Sequence, residues 1–365
     1  MLALQIFLLV LGLALLVKGA DWFVDGGAGI AKKCRISPLV IGLTIVAFGT
    51  SAPELAVSVT SAIQHSTDIS IGNVVGSNIA NILLILGVSA LVHDLPVQKI
   101  SLKLDFPVLL LASILLIGLG YWGKALSWYD GIVLLVVFSI YMYLLFRNAF
   151  REQKGLQPLS ETLTTLPGEP SKPESVLDEE VAEKEEIGKA EVIMITEKES
   201  AEKKDSAVSR WMEKMQEKLW FLVILLVAGL AMVVGGGTLL VDAAREIAVA
   251  AGLSERIIGL TIVAVGTSLP ELVTSVVAAC KGETDIAVGN IIGSNIFNIF
   301  IVAGVASLVY PLTFTQANLI DAVVALAAAV LLYVLSFWKK HTLGKAGGAI
   351  LLAGFIAYYV WLFVA

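Results

Sequence analysis

The sequence predicts an all-α polytopic membrane protein of about ten transmembrane helices, built as two inverted-topology five-helix repeats with a broken helix in each. Three observations carry that prediction. Of 365 residues, 57% are hydrophobic and 15% charged, with a mean hydropathy of +0.87; that balance belongs to a chain facing lipid and excludes an ordinary soluble globule. Apolar runs recur along the chain at about the 20-residue length a bilayer crossing needs. Finally, residues 42 to 92 return at 259 to 309, in register at an offset of 217, with 30 of 51 positions identical.

The first span is expected near 2 to 20. It resembles a secretory signal in its apolar run, but it lacks a basic n-region and exceeds a usual h-region. Its flank from Lys18-Gly19 to Asp25 lies opposite Gly235-Gly236 to Asp242, so it is expected to be retained. Spans follow near 37 to 63, 69 to 92, 105 to 121 and 127 to 147, and in the second half near 219 to 241, 256 to 280, 286 to 309, 319 to 338 and 345 to 364. Five is odd, so two halves of the same internal order must face opposite ways.

Basic residues in short loops set the orientation. With the N-terminus outside, the inner loops carry Lys32, Lys33, Arg35, Lys99, Lys103, Lys281, Lys339, Lys340 and Lys345, and the outer loops only Lys124, Arg245 and Arg256. Both termini are therefore expected outside a plasma or inner membrane, with Cys34 and Cys280 in the cytoplasm. Two such cysteines make neither a disulfide framework nor a metal motif.

The chain divides into a first repeat, 1–150, a hydrophilic segment, 151–218, and a second repeat, 219–365. The middle segment holds 17 Asp and Glu against 11 Lys and Arg, a net −6 that equals the charge of the whole chain. The acidity therefore says little about substrate. Poor in apolar groups, this segment is expected to be a flexible cytoplasmic tether. Its end, with Trp211, Met212, Met215 and Leu219 at helical spacing, either lies along the membrane surface or extends the sixth span. It contains no Asp-rich calcium loop.

The repeated stretch carries the chemistry. In Gly49-Thr50-Ser51-Ala52-Pro53-Glu54 the proline removes a backbone donor and the glycine lowers the cost of a break, so the second span should interrupt near residue 50. Such a break frees carbonyls, including those around Ala47, which is tolerable only beside protein, a cavity or an ion. Thr50 or Ser51 is placed to cap a new half-helix whose amino end favours the negative charge of Glu54. An ionisable group at that depth costs roughly 2.5 to 3.5 kcal/mol and is a functional candidate by default. Asn73, Ser77 and Asn81 share one face of the next span, and Gly72 and Gly76 permit close approach of a neighbour. Gly266, Thr267, Ser268, Pro270, Glu271, Asn290, Ser294 and Asn298 repeat the pattern, with Ala264 at the place of Ala47. Asp68 and Asp285, each after Thr, are expected to open helices.

Bringing the copies together yields two carboxylates, hydroxyls, amides and carbonyls, an all-oxygen set. That suits calcium, sodium and, with tighter geometry, magnesium, and not zinc or copper. His65, His93 and His341 all fall in expected loops. Two carboxylates neutralise one divalent ion, while the flanking hydroxyls and carbonyls suit monovalent ions competing for the same charge.

GTSAPEL with GNVVGSNIAN, and GTSLPEL with GNIIGSNIFN, resemble the paired alpha repeats of the sodium/calcium exchangers, within the cation/calcium antiporter superfamily. The resemblance covers both repeats and not the acidic segment. It implies that Glu54 and Glu271 bind calcium and share in sodium binding, with Thr50, Ser51, Thr267, Ser268 and the carbonyls of Ala47 and Ala264 as further ligands. Ser77 and Ser294 would lie at sodium positions, and Asn81 and Asn298 in the central layer. Many relatives have aspartate at the place of Asn298, so this chain has two carboxylates and no third, which opens the stoichiometry and the choice of counter-ion.

The expected function is secondary active antiport of calcium against sodium by alternating access. A calcium/proton antiporter on the same scaffold is the alternative, with a cation channel behind it. An intramembrane hydrolase would need a metal or nucleophile motif, and no span contains a histidine. No catalytic residue and no resident cofactor are expected. The partners are the bilayer and the transported ions, calcium and sodium with proton or potassium as further candidates, and not nucleic acid. Oligomeric state is left open.

Overall fold

A computed structural model describes residues 2–153, 218–251, 266–337 and 341–364. Its helices are α1 (Leu2–Cys34), the bent pair α2 (Pro38–Thr50) and α3 (Ala52–Ile63), α4 (Thr67–Val92), α5 (Lys99–Gly123) and α6 (Trp128–Gln153). The second half contributes α7 (Leu219–Ala250), α8 (Leu269–Cys280), α9 (Thr284–Val309), α10 (Gln316–Leu335) and α11 (Lys345–Val364). Among the described residues eight helices are long and apolar enough to cross a bilayer, and the pair α2 with α3 makes a ninth. The tenth expected span is described only as α8; residues 256 to 265 lie outside the described residues, as do Ala264, Arg256, Lys339, Lys340 and Trp211 to Met215. The chain is an integral, multi-pass, all-α membrane protein of two repeats.

Local geometry repeats with the sequence. The α2–α3 break falls at Ser51 with a 45° bend, and Ser51 (φ −85, ψ 8) matches Ser268 (φ −90, ψ 5). His65 takes φ 59 where Gly282 takes φ 77, and Lys124 takes φ 53 where His341 takes φ 66. Asp68 and Asp285 lie in the first turns of α4 and α9, as expected.

Two short antiparallel pairings display the symmetry between halves. Strand β1 (Leu95–Pro96) pairs with β4 (Thr342–Leu343), and β2 (Ala125–Leu126) with β3 (Leu312–Thr313). At the offset of 217, Leu95 corresponds to Leu312 and Leu126 to Leu343. The partnerships Leu95 with Leu343 and Leu312 with Leu126 are therefore images of one another, as a pseudo-two-fold axis requires.

Burial orders the helices around that axis. In their most apolar windows α4 is 78% and α9 83% buried, against 17% for α1 and 11% for α11, so α4 and α9 form the centre and α1 and α11 face lipid. The glycines of α9 let α2 cross at backbone distance: a Cβ on Gly289 would stand 2.7 Å from the Leu39 carbonyl, and one on Gly293 2.6 Å from that of Leu43. For Gly72 and Gly76 the equivalent neighbours, residues 256 and 260, lie outside the described residues.

Helices α1 and α7 run longer than the apolar runs suggested, 33 and 32 residues where 2 to 20 and 219 to 241 were expected. The apolar runs end at charges; α1 continues past them because Asp21 and Asp25 find a cation on α8's end. The two helices lie against each other along glycines, Gly12 by Gly236 and Gly19 by Gly229, each leaving no space for a methyl. Spans four and five of each half are clipped by a tyrosine: Tyr141 donates to Asp105 at 3.0 Å and Tyr358 to Asp321 at 2.8 Å.

Candidate ion-binding centre

The two breaks place Glu54 and Glu271 in the first turns of α3 and α8. Pro53 and Pro270 stand at the second helical position, which therefore has no N–H to be capped. Neither Ser51 nor Ser268 caps its own helix, contrary to the expectation for Ser51. The Ser51 hydroxyl instead crosses between repeats and donates to Glu271 Oε1 at 2.9 Å. Ser268 reaches the Ser77 hydroxyl of α4 at 3.4 Å.

Each carboxylate is 1% exposed. Among the described residues no Lys or Arg pairs with either. Both oxygens of Glu54 and Oε2 of Glu271 lack any hydrogen-bond donor. Ions removed from water cost several kcal/mol each unless compensated, so these oxygens need a cation or a proton.

The neighbouring polar groups supply more oxygen. Asn81 is buried with both amide atoms unpartnered, as is the Ser294 hydroxyl. Asn298 donates through Nδ2 to Asn78 Oδ1 at 3.2 Å, and its own Oδ1 is unpartnered. Thr50 has one hydroxyl proton and faces Asn290 Oδ1 at 3.1 Å and the Val46 carbonyl at 3.2 Å. The Ala47 carbonyl accepts from the Ser51 N–H at 3.0 Å, so it is not a bare oxygen here. Asn290 is held by Ser275 at 2.9 Å, and Asn73 donates to the Glu54 carbonyl at 3.0 Å.

Wider helical turns flank these residues at Gly42–Val46, Ala80–Ile85 and Asn298–Ala303. Such π-type turns in α-helices are frequent at functional sites, and here Asn81 and Asn298 lie within them. Thr267 stands apart, half-buried on the wall of a cavity of about 180 Å³ with Pro53, Gly266, Pro270, Thr238 and Asp242.

One residue that the sequence reading passed over joins the halves. Asn78 donates to the Asn295 carbonyl at 3.3 Å and accepts from Asn298. The signal was available, since the Gly-Ser-Asn of Gly76 to Asn78 is identical to that of Gly293 to Asn295; one apolar-looking helix simply offered too many polar residues to rank.

Comparison with known proteins bears on the family and the fold. The family described as sodium/calcium exchanger protein matches residues 4–147 and 221–364. Inner membrane protein YrbG of Escherichia coli is 34% identical, covering 98% of this chain and 96% of its own. The sodium/calcium exchanger MaX1 of Methanosarcina acetivorans is 34% identical, covering 100% and 99%. A structure of the sodium-calcium exchanger NCX_Mj soaked with sodium and strontium superimposes with a TM-score of 0.75 at 32% identity over 99% of both chains.

Proposed function

This chain belongs to the sodium/calcium exchanger family, and we propose from that premise that it is a secondary active antiporter, exchanging calcium for sodium by alternating access. The observation that carries the proposal is that Ser51, three residues before Glu54, bonds Glu271 across the repeats, so that the two equivalent acids come to one centre among buried oxygens without donors. Two carboxylates balance one divalent ion or two monovalent ions, and the same oxygens cannot serve both loads at once. Occupancy by one ion therefore expels the other, and the sodium gradient does the work. Glu54 and Glu271 hold calcium. Thr50, Ser51, Ser268, Ser77, Ser294 and the carbonyl of Ala47 complete the calcium and sodium positions, with Asn81 and Asn298 in the middle layer.

Alternation follows from the inverted repeat. A scaffold whose halves are images of each other has two arrangements of nearly equal energy, one open to each face. We place both termini outside and residues 151–218 as a cytoplasmic tether between the repeats, in a plasma or inner membrane. The pairings of β1 with β4 and β2 with β3 support the alternation of spans, since each joins two loops that this order puts on one side.

Radioactive calcium flux in proteoliposomes under imposed sodium, potassium and proton gradients tests the proposal. Uptake that follows an outward sodium gradient with the proton gradient collapsed is the expected result. Uptake that follows only the proton gradient would replace sodium with proton, and uptake with no counter-ion would make the protein a channel.

A further inference from the structure

The inverted repeat is closed unequally on its two faces. On one, α7 leaves the cavity of about 180 Å³ beside the breaks, lined by Val234, Gly237, Thr238, Val241 and Asp242 together with Val57 and Thr267. At the offset of 217 its images are Val17, Ala20, Asp21, Val24 and Asp25 of α1, with Thr274 and Thr50. There the space is shut: Ala20, Val24, Thr50 and Thr274 are each 0% exposed.

Over this shut passage lies an ion-pair cluster whose three residues are not repeated at the equivalent positions of the other face. Lys281, just past the end of α8, bonds the side chain and carbonyl of Asp21 and, at 2.6 Å, Asp25 Oδ1. Lys18 adds a second cation to Asp21. The images of Asp21, Asp25 and Lys281 are Thr238, Asp242 and Gln64, a set with no cation. Burial by itself would lower the Lys281 ammonium, and its bonds to Asp21 and Asp25 outweigh that, holding it above the usual lysine range. A larger groove of about 560 Å³ runs between α1 and α8 past Lys18, Asp21 and Lys281, but it reaches none of Ala20, Val24, Thr50 or Thr274. The shut passage is thus distinct from it.

We propose that Asp21, Asp25 and Lys281 form a one-sided latch, tying α1 to the end of α8, that holds the passage at Thr274 closed and biases the resting exchanger toward opening at Val57 and Thr267. The glycine seam makes α1 and α7 a single body, so a restraint on α1 is also a restraint on α7. Because two arrangements related by pseudo-symmetry start near balance, a small one-sided restraint decides their populations. The Thr274 hydroxyl, buried without a partner, is a group that gains water when the latch parts. This deepens the alternating-access reading and rests on it.

The test reads accessibility, which needs no ion gradient, so a failed flux experiment leaves it interpretable. In full-length protein carrying Cys34→Ser and Cys280→Ser, Thr274→Cys and Val57→Cys are labelled separately with a water-soluble maleimide. Val57→Cys should label and Thr274→Cys should be slow. Adding Lys281→Gln should speed labelling at Thr274→Cys by roughly three- to tenfold, the population shift that partly exposed ion pairs are worth, without speeding it at Val57→Cys. Lys281→Arg should keep it slow. Asp25→Asn, which leaves Lys281 facing one carboxylate in place of two, should give an intermediate rate and serves if Lys281→Gln does not fold. Unchanged labelling at Thr274→Cys, or an equal rise at both positions, would overturn the latch.

Discussion

Ser51 donates its hydroxyl proton to Glu271 across the two repeats at 2.9 Å, while its image, Ser268, turns to Ser77 at 3.4 Å and leaves Glu54 without a donor. The two acids therefore differ although their motifs are the same. A hydrogen bond to a charged group is worth about 1.5 to 3 kcal/mol. Ser51→Ala should accordingly weaken calcium activation of exchange by roughly tenfold or more, and Ser268→Ala by clearly less. Equal losses in the two variants would remove the distinction.

Glu54→Gln and Glu271→Gln should each lower calcium transport by more than about a hundredfold, since partners one shell removed from a metal already count for about 10- to 100-fold. Insertion should be normal. The thermal midpoint in ion-free detergent should hold or rise, because an amide removes an uncompensated buried charge. Near-normal flux from either variant contradicts the assignment.

Asn298→Asp adds a third carboxylate beside Asn78 and the central layer. The variant should change the sodium or pH dependence of exchange. Superimposable profiles for variant and parent place residue 298 outside the site.

The α1–α7 contact tolerates no added carbon. A Cβ at Gly229 would lie 2.5 Å from the Phe23 nitrogen and 2.8 Å from the Gly19 carbonyl. Gly229→Ala should destabilise by about 1 to 3 kcal/mol, the usual cost of overpacking, and Gly235→Ala, which meets nothing within 4 Å, should not. Thermal melts of the two purified variants make the comparison.

Removing residues 155 to 205 should leave sodium-driven calcium flux intact, because the family match stops at 147 and resumes at 221. Loss of flux in a well-inserted deletion would give that segment a part in transport.

The repeat, the break near residue 50, and the helix starts at Thr67 and Thr284 were all legible because each rests on local chemistry. Proline lacks a donor wherever it stands, and an apolar run of span length has few alternatives. The two acids were legible for the same reason, since a carboxylate in such a run is costly in any fold. Less legible was the length of α1. The cost of Asp21 and Asp25 depends on Lys281, more than 250 positions away.

By itself, then, the amino-acid order determined the membrane class, the duplication and the candidates Glu54 and Glu271, because composition, period and proline act through neighbours in the chain. Only the tertiary structure decided that Ser51 serves Glu271 and not its own helix, that Asn78 joins the halves, and that one face is tied by Lys281 while the other is not. Those outcomes depend on which side chains of two nearly identical repeats meet when one is turned over against the other, and no spacing along the chain encodes that.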